Sequence, residues 1–216
     1  MTNEDTTTPR RTYSWSSSTA STLGGPLLVC DADAFAYWGG AVHRPDHELD
    51  PACDYARAMS AVDDADAAVI PFGAHHEHTG LIWDLEGEGT AEIATAADGL
   101  LLVRSWVPLG RTQAPRRRAA TAPATQETGA GELHIRGDRV VVVWAAAAAH
   151  ENDIGPWPPT VLPAEPGTYE VTCGWHEGAR GRYMPEAEIQ TPPPRSAEED
   201  WTCLWIRLVL SNAPTT

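Results

Sequence analysis

Residues 23–40 read Leu-Gly-Gly-Pro-Leu-Leu-Val-Cys-Asp-Ala-Asp-Ala-Phe-Ala-Tyr-Trp-Gly-Gly. Gly24, Gly25 and Pro26 specify a turn, and the apolar run that follows reads as a short buried strand. Asp31 or Asp33 is placed to cap a brief helix whose face is Phe35 and Trp38, and Gly39-Gly40 ends it. A buried strand feeding a small aromatic-bearing helix is a nucleus on which later segments close.

Other segments repeat the pattern of short apolar runs between Gly, Pro and Asp. Residues 51–62 form a helix in this reading, with Pro51 in the first turn and Tyr55, Met59 and Val62 at helical spacing, Ala56 and Ala58 filling gaps. Residues 67–72 are a strand whose Pro71 places it at a sheet edge, and residues 81–85 are the next strand. Runs 90–95 and 100–107 flank Asp98-Gly99, a hairpin signal. Residues 111–131 hold Pro115, the triplet Arg116-Arg117-Arg118, Pro123 and few large apolar side chains, and read as a linker. The triplet suits either solvent or the acids of its own chain. Beyond it, 132–135 and 139–144 flank Arg136-Gly137-Asp138, which reads as a hairpin turn. Two further strands carry Thr172-Cys173-Gly174-Trp175 and Thr202-Cys203-Leu204-Trp205. If those strands pair, Cys173 and Cys203 become neighbours in a tryptophan-lined layer.

The resulting expectation is an α+β, mostly β protein. Residues 1–21, polar and rich in Ser and Thr, form a lead-in without fixed structure. Residues 22–110 form an antiparallel sheet with one or two short helices, 111–131 the linker, and 132–212 a β-sandwich-like domain. No run of about 18 apolar residues exists, so no membrane helix is expected. The first residues lack an apolar signal core, and Cys30, Cys53, Cys173 and Cys203 lack C-x-x-C spacing. Reduced core thiols in a cytoplasmic protein follow from both observations.

Charge is the most informative total. The 216 residues carry a formal net charge of −15. Residues 31–98 hold fifteen acids against Arg44 and Arg57, a net of −13, whereas residues 99–131 carry five arginines against Glu127. The field of the first half repels nucleic acid and anionic lipid and steers basic partners inward.

Motifs for bond-making chemistry are weak. His75-His76-Glu77-His78 has metal-binding side chains, but consecutive residues of a hairpin loop converge poorly on one tetrahedral ion, even if His43 and His47 assist. His75, His76 and His78 therefore stay minor metal candidates, and no cofactor is expected. No G-x-S-x-G elbow and no phosphate-cradling glycine loop occurs. Carboxylates crowd at Asp63, Asp64 and Asp66 and again at Asp84, Glu86 and Glu88, on turns rather than across a cleft. Tryptophans 38, 83, 106 and 144 lie in apolar segments and read as core.

Trp15, residues 23–29, Trp38-Gly39-Gly40, Asp54-Tyr55-Ala56-Arg57-Ala58, Val69-Ile70-Pro71-Phe72-Gly73 and Leu100-Leu101-Leu102-Val103-Arg104-Ser105-Trp106 follow a known order. Over residues 13–107 the chain resembles the immunity protein 21 family of bacterial polymorphic toxin systems. It departs from that pattern in its acidic, histidine-bearing loop. The resemblance implies a non-enzymatic protein that binds and neutralises a cognate toxin, with no catalytic residues to carry over. Nuclease toxins have basic, phosphate-binding clefts, which an acidic inhibitor complements. The expected contact set is Asp63, Asp64, Asp66, Trp83, Asp84, Glu86 and Glu88, with Trp83 as anchor. The alternatives are a metal-assisted hydrolase built on the histidine loop, or a β-sandwich module in residues 132–212 that binds a ligand or protein.

Overall fold

Each short apolar run bounded by Gly, Pro or Asp forms a strand in the computed structural model, which describes residues 11–84, 88–106, 113–149, 158–177 and 202–211. The strands are β1 (Ser14–Thr22), β2 (Leu27–Asp31), β3 (Ala67–Phe72), β4 (His78–Trp83), β5 (Gly89–Ala96) and β6 (Gly99–Trp106). They continue with β7 (Glu127–Ile135), β8 (Arg139–Trp144), β9 (Thr160–Pro163), β10 (Gly167–His176) and β11 (Thr202–Leu210). Two α-helices accompany them, α1 (Asp54–Ala61) and α2 (Gln113–Thr121), with 3₁₀ turns at Ala34–Tyr37 and Ala124–Gln126. The chain is thus α+β and mostly β, as its sequence predicts.

The strands form two sheets, in the orders β1-β5-β6-β11-β10-β7 and β3-β4-β2-β8-β9. This arrangement corrects the expected division into domains at 22–110 and 132–212. β6 pairs antiparallel with β11, placing Leu102 opposite Ile206, and β2 pairs with β8, placing Val29 opposite Val142. Both sheets draw strands from both halves. The reason is burial: β2 and β8 have apolar residues on both faces, so each needs a neighbour that is apolar on both faces too.

Alternation along the strands assigns each face. Leu27, Val29, Leu81, Val140, Val142, Leu204, Ile206 and Leu208 point into one core between the sheets. Leu28, Cys30, Ile82, Val141 and Val143 point outward from the five-stranded sheet, under Ala34, Trp38, Ala58 and Val62. Leu101, Val103, Cys203 and Trp205 point outward from the six-stranded sheet, under Ala119 and Ala122. The stack is therefore a helical cover, two sheets and a second helical cover. In α1 the buried residue is Ala58, while Met59 is exposed, so the helix face is turned by about one residue from the sequence reading. That helix starts at Asp54, after Pro51, with the Cys53 sulfur accepting the Ala56 amide.

The sheet edges shield one another. Thr160 of β9 donates its hydroxyl to the Thr19 carbonyl of β1 (2.8 Å), and Thr79 of β4 accepts the His134 amide of β7 (2.9 Å). β3 is an edge strand, as Pro71 predicts. Gly40, with φ +63°, lies where a Cβ would strike the backbone of residues 146–148 at 2.6–2.7 Å. Only glycine lets the two loops close there, where Ala41 donates to the Ala146 carbonyl and the Trp38 indole to the Ala145 carbonyl.

Four further expectations change. Residues 14–21 are not a lead-in: they belong to β1, an edge strand on β5 whose Ser and Thr side chains face solvent while Ala20 and Thr22 are buried. Much of the 111–131 segment is α2 rather than linker, held by the buried Pro115 and Ala119. Arg116 forms an ion pair with Glu92 and stacks over Trp15 at 4.8 Å, so part of the arginine triplet is folded onto the chain's own acids. Arg136-Gly137-Asp138 does not close a hairpin, because β7 and β8 lie in different sheets. Cys173 and Cys203 face opposite sides of their sheet, their partners across the β10–β11 ladder being Ile206 and His176. Burial pushes the Cys203 thiol up to about 12, which suits an inert core residue.

One buried ion pair ties α2 to the sheet. Arg207 lies 2.8 Å from Glu127 and donates to the carbonyl of Ala119 in the last turn of α2 (2.8 Å). A guanidinium at that end also complements the helix dipole. Glu127 accepts in addition from the Trp205 indole (2.9 Å) and the Thr172 hydroxyl (2.7 Å). Glu127→Ala removes an acceptor from all three donors and the countercharge from Arg207, and its expected cost is about 3–5 kcal/mol in urea unfolding. Val161→Thr, at an exposed strand position, is expected to change stability by less than about 0.5 kcal/mol.

Candidate functional site

The open end of the β3–β4 hairpin gathers the first-half acids. Ala67 pairs with Trp83, so Asp66 and Asp84 emerge side by side just beyond the ladder. The Asp84 amide donates to the Asp66 carbonyl at 3.0 Å. α1 ends at Ala61, capped by Val62, and delivers Asp63 and Asp64 to the same place. The four acids line one groove of about 540 Å³, whose far wall is Thr128 and Gly129 of β7 and Cys173 of β10. Asp63 and Asp64 are exposed, Asp66 and Asp84 half-buried. None of the described residues lining the groove is basic. The negative end of α1 points into this cluster and adds to its field, at a local cost to the helix.

The remaining members of the expected contact set fall elsewhere. Trp83 is fully buried between the sheets, and this corrects its role as a surface anchor. It shares the inner face of β4 with Leu81, and period two leaves it no route to solvent. Glu86 lies outside the described residues. Glu88 is exposed and its carbonyl accepts from Arg104 (2.9 Å), but it does not line the groove. An aromatic residue that sequence reasoning placed in the core meets solvent near the groove instead. Trp175 is 42% exposed. It lies two residues beyond Cys173 on the same face of β10, within about 7 Å along the strand of the groove wall. The signal was its position at a strand end, where an inward-facing ring outruns the opposite sheet.

At the other end of the hairpin, Phe72 pairs with His78 and the loop between them carries the histidines. His75 and His76 are exposed, and His76 adopts φ 57°. The Glu77 carboxylate accepts the His75 amide at 2.8 Å. The His78 ring is not part of that loop: it packs against Tyr37 at 4.7 Å and Phe72 at 5.5 Å. His43 and His47 are exposed on a separate loop. Among the described residues no group of three His, Cys, Asp or Glu side chains is placed to hold a metal ion. No described helix is long and apolar enough to cross a membrane.

Beside His78 lies a second concavity, of about 310 Å³, built on Asp31 at the end of β2. Asp31 is 4% exposed. One carboxylate oxygen accepts the amides of Arg136 and Gly137 (both 2.7 Å), the other those of Asp33 (2.8 Å) and Ala34 (3.2 Å). Burial works to raise its pKa, and the four amides more than offset it, holding the carboxyl below its ordinary value. This single side chain fixes both the turn into the 3₁₀ segment and the crossing from β7 to β8.

No protein-family model, curated protein or solved structure matches the chain.

Because the folded-state pKa of Asp31 is depressed, its contribution is complete above the ordinary carboxylate value near ~4 and is lost as pH falls through the folded value. Asp31→Asn puts an NH₂ against amide donors and is expected to cost about 1–3 kcal/mol at pH 7. In urea unfolding repeated from pH 7 to pH 2, the gap between the two proteins is expected to narrow as the native carboxyl protonates.

Proposed function

We propose that this chain is an immunity protein: it binds a cognate bacterial toxin through the acidic groove, occupies the toxin's basic surface, and performs no chemistry of its own. It acts in the cytoplasm of the cell that makes the toxin. The observation that carries the reading is the convergence of Asp63, Asp64, Asp66 and Asp84 on one groove with no basic residue among its described lining. Such a surface complements a phosphate-binding cleft, the feature that defines a nuclease toxin, and long-range attraction speeds its capture. The sequence resemblance over residues 13–107 points to the same partner class, on grounds independent of charge.

The two kinds of contact have separable duties. Rim carboxylates chiefly set the association rate, whereas a partly exposed tryptophan desolvated on binding chiefly sets the dissociation rate. A contact of about 800 Å² on each partner accommodates the groove and Trp175 together.

The test uses the toxin domain encoded beside this gene and measures binding kinetics across a salt series. Replacing the four aspartates by asparagine is expected to slow association by about tenfold at low salt and to flatten its salt dependence. Trp175→Ala is expected to raise the dissociation rate by about tenfold with association nearly unchanged. Unchanged kinetics in both variants would remove the groove from the interface.

A further inference from the structure

The concavity built on Asp31 has a composition that selects its occupant. Its described lining carries three carboxylates, Asp31, Asp33 and Glu77, against one guanidinium, that of Arg136, with His78 and His134 beside them. Two of these groups are already committed. Asp31 is saturated by four amides, and Arg136 donates to the Glu77 carbonyl at 2.9 Å. His134 is turned to Thr168, its Nδ1 lying 3.0 Å from that hydroxyl.

What a ligand meets is one flat surface and two carboxylates whose contacts with Arg139 and His78 are both 3.8 Å long. Tyr37 is 58% exposed, yet its ring is held parallel to His78 with an interplanar angle of 25°. The Asp33 side chain is 82% exposed, with the exposed Arg139 3.8 Å away. Its Oδ2 lies over Gly137, 3.6 Å from the position a Cβ would take. The Glu77 carboxylate is folded back over its own loop by the His75 amide, with Oε1 3.8 Å from the His78 ring nitrogen.

An anion meets an excess of carboxylate here, and an aliphatic group makes no use of it. An ammonium satisfies the carboxylates but gains less from a planar ring. A guanidinium satisfies both: it stacks on an aromatic face and donates in its own plane to carboxylate oxygens. The volume of about 310 Å³ admits such a side chain.

We infer that the pocket between Tyr37, Asp33 and Glu77 is a guanidinium-binding site, stacking the cation on Tyr37 and pairing it with the two carboxylates. The site lies at the opposite end of the β3–β4 hairpin from the acidic groove, about 20 Å away along six-residue strands. It rests on the proposed toxin partner only for whose arginine enters it.

The experiment needs no toxin, so its failure leaves the acidic groove untouched and the reverse also holds. The full chain is titrated with N-acetyl-L-arginine amide, N-acetyl-L-lysine amide and methylguanidine, following the ring protons of His78, Tyr37 and His134 by NMR. Saturable shifts confined to these residues are expected, with the arginine probe bound at least about fivefold more tightly than the lysine probe. Tighter binding of capped arginine than of methylguanidine marks a peptide source, and equal binding a free small guanidinium compound. Tyr37→Ala and Glu77→Gln are expected to weaken the arginine probe about tenfold each. Tyr37→Phe, which keeps the ring, and Asp63→Asn with Asp64→Asn, in the distant groove, are expected to leave it unchanged. Linear shifts, equal response to lysine, or loss of binding in the groove variant would overturn the assignment.

Discussion

Strand β2 is the constraint on which the rest of the molecule depends. All five of its residues are buried, and it is hydrogen-bonded along both edges, to β4 from the first half of the chain and to β8 from the second. Leu27 and Val29 fill the core between the sheets while Leu28 and Cys30 fill the layer beneath Trp38 and α1. Leu27, Leu28 and Val29 each contribute on the order of 1.5–3 kcal/mol of burial, against residues drawn from both halves. Asp31 ends the strand by binding the amides that lead into the 3₁₀ turn and those that lead into β8. One five-residue segment thus joins a nearby helical cover, two sheets and a distant crossing.

This arrangement explains where the sequence was legible. Elements defined by neighbours in the chain were visible: the Asp98-Gly99 hairpin, the edge position implied by Pro71, the helix ending near Val62, and the turn before Leu27. The pairing of β6 with β11 was not, because it joins residues about a hundred positions apart, and period-two patterns say which faces are buried without saying by what. The linker reading failed for a related reason. α2 is poor in large apolar residues and is held by Ala119 against the sheet and by Arg207 from below, neither of which shows in local composition. β1 was missed because serine and threonine suit an edge strand as well as they suit a loop.

The candidate site was legible to the same depth. The clustering of Asp63, Asp64, Asp66 and Asp84 on one groove follows from a hairpin whose ends meet beside a helix C-terminus, and both elements were visible in sequence. Trp83 was misread because it precedes an acid by one residue, and one residue along a strand is a change of face. Trp175 follows the opposite logic: it occupies an inward register, but at a strand end the opposing sheet stops and the ring meets solvent. The β3–β4 hairpin thus carries the acidic groove at one end and the concavity lined by Tyr37 and His78 at the other. Both depend on the shared sheet for their spacing.

The central claim is that the two halves form one cooperative body, so that both surfaces are carried on a single rigid frame. Native-state hydrogen exchange tests it most directly. The account predicts that the slowest amides of β2, β8, β6 and β11 exchange only through global unfolding, with one common free energy and one common denaturant dependence. Two sets of free energies, one for residues before the 111–131 segment and another for those after it, would contradict it.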